Sequence, residues 1–126
     1  MKVVLILLFQ LFVCIISCQN IVYSSILEDA LPDNHASCSP NINSLGVAFR
    51  VDINSKIVSI KYYKSPYETG THIGRIWSSN TLEAEITFDN ETASGWQIQE
   101  LVSPIYITSG IDYVVSVNCN SKNPKL

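Results

Sequence analysis

From Leu45 onward, apolar and polar residues alternate with a period of two, and this constrains the fold more than any other feature. Leu45, Val47, Phe49, Val51 and Ile53 share one parity, with Ala48, Arg50 and Asp52 on the other. The next run sets Val58, Ile60 and Tyr62 against Ser59, Lys61 and Tyr63. A third, HIGRIWSS from His72, is less regular. A fourth sets Leu82, Ala84, Ile86 and Phe88 against Glu83, Glu85, Thr87 and Asp89. Trp96, Ile98 and Val102 mark a fifth run, with Trp96 expected in the core. Tyr113, Val115 and Val117 mark a sixth, after the turn Thr108-Ser109-Gly110. Successive side chains of a strand point to opposite faces, so each run predicts a half-buried strand. Short runs of this kind separated by turn residues predict an all-β fold. The expected architecture is a single antiparallel β-sandwich, immunoglobulin-like or jelly-roll-like.

The first residues follow a different rule. MKVVLILLFQLFVCIISCQN has one basic residue, Lys2, then an apolar run from Val3 to Ile16 broken only by Gln10, then small Ser17 and Cys18. Roughly 14 apolar residues are too few to span about 30 Å of hydrocarbon as a helix. The layout predicts a helical secretion signal over residues 1–18, cleaved near Gln19, and hence an extracellular protein with no membrane attachment afterwards. In a bacterium, Ile15-Ile16-Ser17-Cys18 also fits lipidation at Cys18, which is the alternative. The domain then divides into an N-terminal segment over 19–43, a sandwich core over 44–118 and a tail over 119–126.

Charge and cysteines follow from that division. The chain has a formal net charge of −3, which becomes −4 without Lys2, and its lysines and arginines are scattered. No basic cluster supports nucleic-acid or anionic-membrane binding. Of four cysteines, Cys14 and Cys18 fall in or at the signal, leaving Cys38 and Cys119. Two cysteines in an exported domain most simply form one disulfide. Zinc held by His35, Cys38, His72 and Cys119 would match no common ligand spacing.

The polar connections carry the remaining chemistry. DNETASG, residues 89–95, joins Phe88 to Trp96, with Gly95 suited to a positive φ before the strand. Asp89, Asn90, Glu91 and Thr92 are hard oxygen donors of the kind Ca²⁺ accepts, although six to eight oxygens would have to converge. No metal and no cofactor is expected. Asn90-Glu91-Thr92 is also a glycosylation signal, effective in a eukaryotic secretory pathway. Glu83 and Glu85 read as the polar face of their strand rather than as an acid–base pair. No nucleophile elbow, phosphate loop or paired-histidine zinc motif occurs, so an enzyme is not expected.

The blocks LGVAFRVD, IVSIKYYKS, GTHIGRIWSS, LEAEITFDNETASGWQ, SPIYIT and GIDYVVSV resemble the domain of unknown function 4082 family. The resemblance runs from about Ser24 to Val117, and GTHIGRIW and NETASGWQ are its most specific parts. It implies a β-sandwich accessory module without an established catalytic role, of the kind found in large secreted bacterial proteins beside carbohydrate-active or immunoglobulin-like modules. The chain departs from the family in two ways. It stops at NCNSKNPKL, where members generally continue, and its cysteines at 38 and 119 are not part of the family pattern.

The reading is therefore a secreted, non-catalytic module that binds a carbohydrate or a cell-surface protein. A structural or adhesive spacer without a small ligand is the alternative. Aromatic residues out of phase with the core, and loop residues able to orient a polyol, are the candidate ligand contacts: Tyr63, Tyr67, His72, Trp77, Asp89 and Glu91. Tyr106, between Ile105 and Ile107, is out of phase as well. The loops SPYETGTH and DNETASG are expected to share one edge.

Overall fold

The computed structural model describes residues 9–17, 20–25, 30–31 and 43–119. Its eight strands are β1 (Phe9–Ser17), β2 (Asn20–Ser25), β3 (Ser44–Arg50), β4 (Ser55–Lys64), β5 (Ile73–Ser78), β6 (Thr81–Thr87), β7 (Gly95–Ile107) and β8 (Asp112–Asn118). They form two four-stranded antiparallel sheets. The first has the order β2-β1-β4-β7 and the second β3-β8-β5-β6. The protein is an all-β sandwich.

The core lies between the sheets. Val47, Phe49 and Val51 come from β3 and its end; Ile57, Ile60 and Tyr62 from β4; and Ile76 from β5. Ile86 and Phe88, Ile107, and Tyr113, Val115 and Val117 complete it. Burying each such side chain stabilises the fold by about 1.5–3 kcal/mol relative to exposure. Tyr62 of the first sheet meets Phe88 at the end of β6 edge-on, with ring centroids 4.7 Å apart. Packing is tight around Gly74 of GTHIG: a Cβ there would lie 3.0 Å from Ile60 and 3.1 Å from Phe88, so a side chain would require these neighbours to shift by a few tenths of an ångström.

Three expectations need correction. Residues 9–17 of the expected helical signal form a strand, with Phe9 to Cys14 paired to Tyr62 to Lys56 of β4 and Phe12 to Ser17 paired to Ser25 to Asn20 of β2. A short apolar run satisfies either conformation, and Val13, Ile15 and Ile16 are β-branched residues that suit a pleated ladder beside the edge of β4. Residues 1–8 and 18 lie outside the described ones. Second, Trp96, Ile98 and Val102 do not face inward: Gln97 is buried, while Ile98 and Val102 are exposed. Third, the inward parity of the first and fourth runs holds only in part, since Ile53 and Leu82 are exposed as well.

Parity is also interrupted within the first sheet. The β4–β7 register passes from Ile57↔Ile105 to Ser59↔Glu100, so Leu101 to Pro104 bulge opposite Val58. Such a bulge, containing a proline on an edge strand, obstructs pairing with another chain.

Candidate functional site

Two neighbouring regions concentrate the chemistry: a closed polar cluster beneath two loops, and the outer face of the first sheet.

The cluster begins at the end of β4, whose inward parity carries Tyr62 and then Lys64. The following loop turns through the Glu68 N–H to Ser65 carbonyl bond of 3.0 Å and delivers His72 to the start of β5. The carbonyl of His72 accepts from the N–H of Phe88 at 2.9 Å, which fixes the two loops side by side. Asn90 then adopts φ 56°, a left-handed conformation that asparagine tolerates, and the turn sends Glu91 inward. Its Oε1 accepts from the Tyr62 hydroxyl. Its Oε2 accepts from Lys64 Nζ at 3.1 Å and from His72 Nδ1 at 2.9 Å. Lys64 Nζ also donates to the Thr92 carbonyl at 3.0 Å, and Glu68 Oε2 lies 3.4 Å from His72 Nε2. His72 is only 1% exposed.

Burial pushes the Glu91 carboxyl up, but hydrogen bonds from Tyr62, His72 and Lys64 outweigh it and hold the group below its ordinary range. The Tyr62 hydroxyl is driven far upward, first by burial, then by the Glu91 hydrogen bond and charge. Both groups therefore stay in the protonation state that suits their bond. Gln97 closes the loop from beneath: its Oε1 accepts from Thr92 N–H at 2.8 Å, and its Nε2 donates to Thr92 Oγ1 at 2.6 Å and to the Gly95 carbonyl at 3.1 Å. This demand for amide hydrogen bonds explains why Gln97 takes the inward position.

The inward glutamine leaves its apolar neighbours on the outer face. There Trp96 stands opposite Tyr63 with rings edge to face, 5.4 Å between centroids. Lys61, opposite Ile98, holds its ammonium 4.9 Å from the Trp96 ring centroid. Beyond the bulge, Lys56 lies opposite Tyr106 with its ammonium 4.9 Å from that ring centroid. Tyr106 is 74% exposed and Ile98 55%. The Trp96 indole N–H has no acceptor among the described residues.

The sequence-derived candidates thus fall in three places. Tyr63 belongs to the outer face just described. His72 and Glu91 lie in the closed cluster, with Tyr67 (47% exposed) and exposed Asp89 on the loops above. Trp77 sits half-buried on β5 in the other sheet, paired with Val114, and its indole N–H donates to Ser116 Oγ at 3.2 Å. The two loops do meet, but through buried ionic groups. Glu91 turns away from Asp89 and Asn90 towards Lys64 and His72, so the loop's oxygens are not gathered around a common point. Asn90 is exposed at the loop tip. Cys38 lies outside the described residues, and Cys119, whose N–H donates to the Asn43 carbonyl at 2.9 Å, directly follows β8.

A family model described as Domain of unknown function (DUF4082) matches residues 29–125. The chain belongs to this family. No curated protein and no solved structure matches it. The DUF4082 match contains both loops of the cluster and the whole outer face from Lys56 to Tyr106, whereas β1 and β2 precede it.

Sequence reasoning did not identify Tyr62, Lys64, Glu68, Lys56, Lys61 or Trp96 as site residues. For Trp96 a signal was present: parity made it a neighbour of Gln97, and a glutamine beside a turn can serve the turn's amides. The cross-strand pairing Tyr63↔Trp96 depends on register, which the alternation by itself leaves open.

Proposed function

We propose that this DUF4082 chain is a secreted, non-catalytic module that binds carbohydrate through the outer face of its first sheet. One observation carries the reading: Tyr63, Trp96 and Tyr106 share that face on two adjacent strands, with Ile98 between them. Aromatic rings on a pleated sheet offer the C–H faces of sugar rings an apolar platform, while their polar edges hydrogen-bond hydroxyls. A non-catalytic role is supported by the cluster's arrangement. Its carboxylate and imidazole are turned on each other and on Lys64 in the interior, which is a loop clasp rather than an open acid–base pair. Export is supported by the Lys2-plus-apolar layout, and with it we propose a Cys38–Cys119 disulfide, between the two cysteines that remain once Cys14 and Cys18 are set aside with the signal.

The test is a glycan-array screen of the oxidised protein beginning at Gln19, repeated with Trp96→Ala and Tyr106→Ala. The expected result is binding to a glycan class that both substitutions abolish while the fold's circular dichroism is retained. Absence of binding to any glycan would favour the structural or adhesive spacer. Binding that persists in both variants would move the site to the Tyr67 and Asp89 loops.

A further inference from the structure

We infer that the β4 edge released when residues 1–18 are removed is an acceptor site for a strand of another polypeptide. The strand it takes is an extended segment, antiparallel to β4, with apolar residues at three alternate positions. The inference rests on the export proposed above and is independent of the carbohydrate face.

The structure shows this site in its filled state. β1 runs antiparallel along β4 in six pairs, from Phe9↔Tyr62 to Cys14↔Lys56. Positions 9, 11 and 13 of β1 stand opposite Tyr62, Ile60 and Ile57, all three in the buried core. Positions 10 and 14 stand opposite Lys61 and Lys56. The ladder passes from Ser59 to Ile57 without pairing Val58, so β4 carries the irregularity and the strand beside it stays regular. Successive positions of a strand alternate between faces, so apolar residues at i, i+2 and i+4 of a donor meet the three core positions. In such strand addition the main-chain bonds give affinity and the alternate side chains give selectivity.

β4 is built as an interior strand. With β1 beside it none of its ten residues is exposed, and Ile57 and Ile60 are fully buried. Two outer strands of the sandwich are different: β7 bulges through Pro104, and β6 presents exposed Glu83 and Glu85. Both devices hinder the addition of a further strand. Among the described residues β2 pairs with β1 alone, so the same cleavage leaves a second ladder edge across from the first. One inserted strand satisfies both. A second copy of β4 does not present the required pattern, because its core residues Ile57, Ile60 and Tyr62 are spaced three and two apart. Nor does β2, which is antiparallel to β1 and therefore parallel to β4.

The experiment uses protein recovered from the medium, beginning at Gln19, and a synthetic peptide of residues 9–17 carrying Cys14→Ser as the probe donor. Binding is read by fluorescence anisotropy of the labelled peptide and by amide exchange in β4. The peptide should bind one to one. At about ten times its Kd it should slow exchange of the β4 amides on the vacated side about tenfold, leaving those directed at β7 unchanged. The thermal midpoint should rise with peptide concentration, which is a second readout. Leu11→Asn in the peptide, opposite Ile60, should weaken binding by at least about tenfold, and Gln10→Ser, opposite Lys61, should change it by less than about twofold. The intact chain from Met1, with β1 in place, should not bind. Absence of binding by the processed protein, or equal binding of a scrambled peptide, would overturn the acceptor site. Protection of both β4 edges before peptide is added, with a doubled mass in sedimentation, would assign the edge to a second copy and overturn the assignment to another polypeptide. Recovery of an intact Met1 from the medium would instead remove the export on which the site depends.

Discussion

Glu91 shows how a residue legible as polar can be misread in its role. Asp89, Asn90 and Glu91 look alike in the sequence, three oxygen-bearing side chains in one turn. Asn90 at φ 56° reverses the chain, so only Glu91 points inward, where it accepts from Tyr62, Lys64 and His72. Glu91→Gln leaves Lys64 and His72 buried without their carboxylate, a loss of about 3 kcal/mol. Its pH dependence has a definite sign. The folded-state pKa of Glu91 lies below the ordinary 4.5, so the unfolded chain takes up the proton more readily. The ionised group therefore stabilises the fold above the ordinary value, and that contribution is lost as pH falls through the depressed one. Between about pH 5 and about pH 3, the thermal midpoint of the parent protein should fall more steeply than that of Glu91→Gln. Parallel curves would mean that another carboxylate controls acid stability.

Among the elements, β3 and β8 follow the alternation closely, since Val47 and Phe49, like Tyr113, Val115 and Val117, are buried. These strands are paired residue for residue from Ser44↔Asn118 to Arg50↔Asp112 without interruption. β7 was not legible in the same way. Periodicity specifies that Trp96 and Ile98 share a face; which face is inward depends on what lies beneath, and the turn's need for Gln97 decides it. The bulge at Leu101 to Pro104 leaves that phase intact, since Gln97 and Ile107 are both buried while Ile98 and Tyr106 are both exposed. Substitutions should report this inversion. Ile98→Asn should leave the thermal midpoint nearly unchanged. Gln97→Leu, although more apolar, should lower stability by about 1–3 kcal/mol by stranding the amide of Thr92. The reverse order in a chemical denaturation series would restore the inward assignment of Ile98.

At the scale of the molecule, the sandwich was legible because its class depends on period and turn spacing alone. The conformation of the N-terminal run was not, because a short apolar run fits a helical signal and a sheet strand equally. The two readings make different demands on β4. In the structure β4 is flanked by β1 on one side and β7 on the other. If export removes residues 1–18, as we propose, β1 goes with them, and the edge of β4 from Lys56 to Tyr62 loses the partner seen here. The proposed Cys38–Cys119 bond would compensate, because closing a loop of about 80 residues restricts the unfolded chain by about 4–5 kcal/mol. Protein recovered from the medium should begin near Gln19, and non-reducing peptide mapping should find Cys38 and Cys119 in one linked fragment. In that processed protein, β4 amides directed at β1 should exchange with solvent faster than those directed at β7, as measured residue by residue by NMR. Uniform protection along both edges of β4 would mean that a strand remains there. An intact Met1 in the secreted protein would identify that strand as β1 and overturn the cleavage.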